Sequence, residues 1–383
     1  MKQLPRPDTC RVLEELLGRS ARDLFASAAA RPEAVSSPPA TEAPPAVADT
    51  HRTTSADDDA AEIVARARQL ACGNADGATL VYLASQVEAV TDRYEQDGPR
   101  GLWAQAKSLH SMGHALLSGQ QPPPARTELF RFTARIGGLL GYMAVNTGAF
   151  PLAEAYCAEA LELSRVIGDL DTELWACGTQ SFAAYYAGRY VEADARAAAA
   201  VDRAPDHPQA IRLLVNGRAR ALGKLGDRKG AERAIGQAET LSDRHDAPPV
   251  LTPCISFSPY GRTRTLANAL TARVALHDTR QVMRDAEHLD GLVETSGSTW
   301  SRALVRLDVA MAVLQQETPD VEHAMSLGQQ AIRLASSLPI SSVRQRSRDL
   351  YEHAIRWQSR SAVRDYGEQL RAWGCRLPPA KAV

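Results

Sequence analysis

Between Ala134 and Asp243 one pattern occurs three times. A small residue stands on a first helix. A glycine follows seven residues later, and small residues stand five and twelve positions after the glycine. The copies are Gly141, Gly148, Ala153, Ala160; then Ser181, Gly188, Ala193, Ala200; then Ala219, Gly226, Ala231, Ala238. The glycines recur after 40 and then 38 residues. Two antiparallel helices approach closely only where small side chains sit at their crossing. The tight turn between them needs a residue that tolerates positive φ, hence glycine. A helical hairpin cannot bury its apolar face alone, so it stacks on the next one. A fixed period of about 34 to 45 residues therefore predicts an all-α solenoid of hairpins.

The same residues carry a resemblance. Leu140-Gly141-Tyr142, Gly148-Ala149-Phe150 and Ala153 through Ala160-Leu161 resemble a tetratricopeptide (TPR) repeat. The second unit, Gly188-Arg189-Tyr190 to Ala200-Val201 and Pro205, resembles it more closely, because Pro205 stands where that repeat ends its second helix. The first and third units carry Arg165 and Asp243 at that position, and the spacing exceeds the standard repeat by several residues. The resemblance implies TPR-like hairpins with lengthened joints, wound as a right-handed superhelix.

Hairpins extend beyond the three clear units. Helices are expected at 59–72, 77–97 and 101–118, before the break at Pro122-Pro123-Pro124. After the repeats, residues 246–262 hold Pro248, Pro249, Pro253, Pro259 and Gly261, an irregular insertion that is either a functional loop or a joint. Pairs are then expected at 263–277 with 279–295, 298–316 with 319–337, and 341–357 with 360–373. The last pair carries more charge, as a capping repeat should. The solenoid is expected over 59–375, with 376–383 as a tail.

Ahead of it, residues 32–58 are rich in proline and alanine, with Pro38, Pro39, Pro44 and Pro45, and read as a disordered linker. Residues 8–31 read as two short helices, with Gly18 ending the first and Ser20 and Asp23 forming a capping box for the second. The string from Arg6 to Gly18, followed by Asp23-Leu24-Phe25, resembles the last helix and exit of a helix-turn-helix domain. The type is that of phage-repressor-like (XRE) transcriptional regulators that carry C-terminal TPR-like domains. The scaffold and recognition helices that would precede it are missing from the sequence. DNA binding is therefore expected only if a helix-turn-helix is supplied, since a recognition helix must enter the major groove. The other reading of residues 1–31 is a short helical appendage.

Composition excludes several classes. A formal net charge of -1 gives no global pull toward nucleic acid or an anionic membrane. No stretch suits a membrane span or a signal peptide, so a cytoplasmic protein is expected. Cys10, Cys72, Cys157, Cys177, Cys254 and Cys375 are scattered without zinc or redox spacing, and are expected to be buried thiols. His110 and His114 are one helical turn apart, but no acidic residue stands between them in a zinc-protease manner and the sequence shows no third ligand. No metal or cofactor is expected. No phosphate loop, dinucleotide fingerprint or nucleophile elbow occurs, so an enzyme is not expected.

What a solenoid does offer is a concave surface lined by the first helix of each hairpin. The TPR register places Arg135, Tyr142 and Asn146 there from the first unit, Trp175, Phe182, Tyr185 and Tyr186 from the second, and Asn216, Arg220 and Lys224 from the third. Asn268, Arg273, Trp300 and Arg306 extend the set. Aromatic rings supply contact area, asparagine pairs with an extended backbone, and Arg220 with Lys224 suits a carboxylate. The opposing reading is that some of these aromatics pack as core between repeats. The resemblance implies a regulator whose groove receives a short peptide or small-molecule signal. The alternative is a constitutive adaptor holding a segment of a partner protein. Self-association as a homodimer is left open.

Overall fold

The computed structural model describes residues 56–245, 251 and 255–374. The expected helix-turn-helix remnant, most of the linker, the tail, and Cys10, Cys254 and Cys375 lie outside the described residues. The chain divides into two compact units, Met1–Asp59 and Ala60–Val383. The helices from Gly77 onward belong to the second.

The described residues are all-helical, with no strand among them. No helix is long and apolar enough to cross a membrane. Helix α1 is Ala56–Ala71; from Glu62 to Cys72 every residue is exposed, Cys72 included, contrary to the expectation of a buried thiol. Helix α2, Gly77–Leu117, is interrupted at Gly98 (φ 73°) and Pro99. Its two halves run antiparallel, with Gln105 Nε2 donating to Gln86 Oε1. They correspond to the expected helices 77–97 and 101–118.

Six further hairpins follow. They are α3 (Pro123–Thr147) with α4 (Phe150–Ile167), and α5 (Leu170–Tyr186) with α6 (Tyr190–Arg203). Next comes α7, composed of Ala210–Arg212, a π-helical segment Leu213–Ala219 and Arg220–Leu225, paired with α8 (Arg228–Arg244). The last three pairs are α9 (Arg262–Ala275) with α10 (Thr279–Glu294), α11 (Thr299–Leu314) with α12 (Val321–Ala335), and α13 (Ser341–Ala354) with α14 (Ser361–Ala372). From α3 onward, each first helix touches its own partner and the first helix of the neighbouring hairpin.

The sequence pattern has direct structural counterparts. Gly148, Gly188 and Gly226 sit at φ 81°, 79° and 79°, ending the first helix of each unit. Ala153, Ala193 and Ala231 are fully buried. A Cβ at Gly141 would lie 2.6 Å from Cys157 Sγ and 3.4 Å from the Ala153 carbonyl oxygen. Starts are fixed by side-chain caps: Asp169, Asp227, Asp278 and Asp320 each accept a backbone N–H from three residues on.

The inner side of the stack is filled. Trp300 of α11 packs edge-on against Tyr94 of α2 at 5.5 Å, and its Nε1 donates to the Leu338 carbonyl at 2.7 Å. Helix α13 packs against α3. One apolar core joins Leu83, Tyr94, Tyr142 and Phe182 to Trp300, Leu350 and Tyr366. The first hairpins and the last therefore share a core. The described part of the proline-rich insertion crosses this side too. Trp175 Nε1 donates to the Ser256 carbonyl at 2.8 Å, and Phe257 packs on the Trp175 ring at 4.7 Å.

Two glycine substitutions separate packing from backbone freedom. Gly141→Val should lower unfolding free energy by about 1–3 kcal/mol through overpacking. Gly188→Ala meets nothing within 4 Å, so its cost, about 1–2 kcal/mol, should come from the left-handed backbone alone. Urea unfolding checks both.

Candidate functional site

The ten residues expected to line a groove fall in three places. Arg135 is half-buried, its guanidinium over the Phe257 ring at 5.4 Å. With Leu83, Val87, Arg131 and Phe132 it lines a cleft of about 410 Å³ between α2, α3 and the insertion. Tyr142, Asn146, Trp175 and Phe182 are buried in the shared core. Tyr142 stacks on Phe182 at 5.7 Å and lies 5.9 Å from Trp175, while Asn146 Nδ2 donates to Tyr94 Oη at 2.8 Å. For these four, packing between repeats prevails over an open groove, because late hairpins and the insertion cover them. Arg212 completes this core, its guanidinium 4.6 Å above Trp175.

The remaining residues gather around a second cleft, of about 460 Å³. Tyr185, Tyr186 and Lys224 line it directly. Asn216 and Arg220 are buried. Five successive hairpins contribute to its wall: Tyr185 and Tyr190 from the third, Lys224 from the fourth, Thr271 and His277 from the fifth, Asp308 and Met311 from the sixth, and Arg346, Asp349 and His353 from the seventh. Sequence reading missed the members from the last three hairpins. Of the four residues it offered there, Asn268 and Trp300 are buried, Arg273 is paired with Glu232 and Asp285, and Arg306 is half-buried and bonds Gln330.

The floor of this cleft is electrostatically uneven. Arg346 pairs with Asp308 at 2.9 Å, and Thr271 Oγ1 donates to the same carboxylate at 2.8 Å. Burial works against the Arg346 charge, but Asp308, with Tyr186 and Tyr185, holds the guanidinium above its ordinary value. Arg220 makes no such ion pair among the described residues. Its NH2 donates to Asn268 Oδ1 at 2.6 Å, and its Nε has no hydrogen-bond partner among the described residues. Burial, then the nearby Arg346 charge, pulls Arg220 below its ordinary value. Arg220 thus stands near the Arg346–Asp308 pair without an ion-pair partner of its own among the described residues. A buried charge without a counter-ion is costly, so this floor favours an anionic group. Above it, Asp349 is held above its ordinary value by burial, with Glu352 adding to the effect. Tyr185 is likewise raised by burial. Apolar and aromatic area from Tyr186, Leu307 and Met311 completes the wall.

A scan against protein-family models finds no match, and a search of curated proteins finds none.

Two measurements probe the site as described. Asp308→Ala leaves Arg346 buried and unpaired and should cost about 3–5 kcal/mol in chemical denaturation. His353 is held below its ordinary 6.5 by burial, then by Arg356 and His277. The folded protein then binds fewer protons than the unfolded chain, so stability falls as pH drops below 6.5. His353→Gln should flatten that part of the stability–pH profile.

Proposed function

We propose that the chain is a ligand-responsive regulatory module, a TPR-like solenoid of the kind the XRE-regulator resemblance implies. Its signal is a short peptide or small molecule carrying a carboxylate. The anion sits toward Arg346 and Arg220, and the apolar part lies against Tyr186, Leu307 and Met311. The single observation that supports this reading is the buried Arg220, which donates to Asn268 and makes no ion pair among the described residues, near the Arg346–Asp308 pair of the cleft floor. Its composition suits recognition: an apolar and aromatic wall with a few convergent polar groups.

The wall also supplies a route for a response. A ligand seated there touches five hairpins at once. Any difference in its affinity between two pitches of the stack shifts the population toward one of them. An adaptor that merely holds a partner's segment has no need of such coupling. Binding, not turnover, is the proposed activity.

The test presents the immobilised protein with a degenerate library of short peptides, once with free and once with amidated C-termini. Free-carboxylate peptides should be retained preferentially. Met311→Glu, which places a negative charge in the wall, should weaken them at least about tenfold, or about 1.4 kcal/mol. Val166→Glu, at an exposed position on α4, should not. Equal retention by the wild type and Met311→Glu would refute the assignment of the cleft.

A further inference from the structure

The sequence offers His110 and His114 one turn apart on the second half of α2, without a third ligand nearby in the chain. The fold supplies one. Glu159 of α4 stands opposite, 49 residues along the chain from His110. Its Oε2 lies 2.5 Å from His110 Nε2 and its Oε1 lies 2.6 Å from His114 Nε2. The three ligand atoms all lie within 4.8 Å of one another. The imidazoles pack edge-on at 4.6 Å between centroids, so both Nε2 atoms reach the same carboxylate.

We propose that His110, His114 and Glu159 hold one divalent transition-metal ion, with zinc the best match. Two imidazole nitrogens and one carboxylate oxygen form a donor set suited to zinc and its neighbours rather than to calcium or magnesium. In a tetrahedral site with bonds of about 2.0–2.1 Å, neighbouring ligand atoms stand about 3.3 Å apart. The present contacts need to open by less than about 1 Å, within reach of side-chain rotation. The Nε2 protons move to Nδ1, freeing both lone pairs. The fourth position is open to water, since His114 is 47% exposed.

The surroundings fit a metal better than a plain ion pair. Among the described residues the ion-pair partners of Glu159 are the two histidines, with no lysine or arginine. Tyr156 packs edge-on against His110 at 5.5 Å, and Trp103 backs Tyr156 at 6.1 Å, closing one side. On another side Gly137 of α3 leaves room: a Cβ there would lie 3.5 Å from Glu159 Oε2 and 3.8 Å from His110 Cδ2. An ion at this place ties the first hairpin to the second, apart from the cleft proposed for the signal.

The metal-stripped full chain is titrated with Co²⁺ and followed by its visible absorption, then by Zn²⁺ competition and thermal unfolding. One Co²⁺ per chain with intense tetrahedral bands, displaced by zinc, is expected. Zinc should raise the unfolding temperature of the wild type. His114→Ala and Glu159→Gln should each weaken binding at least about tenfold, the loss that changing even the partners of metal ligands causes. His114 is half-exposed, so that variant should keep its helical circular dichroism. Absence of stoichiometric binding, or equal binding by wild type and both variants, would overturn the proposal and leave a histidine–carboxylate pair without metal.

Discussion

Close approach of helix backbones is the constraint on which the rest of this structure depends. At Gly141 there is no space for a Cβ beside Cys157, and at Gly223 a Cβ would stand 2.8 Å from the Ala272 carbonyl oxygen. The first contact is within a hairpin and the second joins neighbouring hairpins. Small residues at both kinds of crossing let large side chains be reserved for the inner side. There Tyr94, Tyr142, Trp175, Phe182 and Trp300 form one continuous set of rings and bring the early and late hairpins together. Rings of this size dominate the apolar area of a core.

That packing decides where a ligand can go. With the inner side filled, recognition is confined to what the core leaves uncovered. The insertion seals one part of it, with Gln209 Nε2 donating to the Phe257 carbonyl at 2.5 Å. The cleft around Arg346 is what the later hairpins leave open, and the buried Arg220 lies close to Arg346 without an ion pair among the described residues. The π-helical turn at Leu213–Ala219 lies in the helix that supplies Arg220. Such turns re-aim the residues that follow and recur at functional sites.

The first three repeats were legible because their small residues and glycines keep identical offsets. The fifth hairpin was legible only as helix. His277 takes the left-handed turn position at φ 56°, and the offsets that hold alanine earlier hold Val282 and Leu289. A repeat template built on glycine and alanine gives no register there, so Thr271 had no signal, while Asp308, Arg346 and His353 lie outside the three repeats that carried the groove register. The aromatic residues expected in the groove, Tyr142, Trp175 and Phe182, are buried in the shared core. Their covering was not readable, because closure depends on contacts such as Tyr94–Trp300 across roughly two hundred residues of chain. Glu159 escaped for the same reason: no local spacing links it to His110 and His114.

Joint contact of one ligand with five hairpins is the claim that distinguishes a sensor from a scaffold. Hydrogen–deuterium exchange, with and without the retained peptides, measures it directly. Protection should appear together in the segments around residues 185–190, 224, 271–277, 307–311 and 345–353. Protection confined to one hairpin, or to the outer helices, would contradict it.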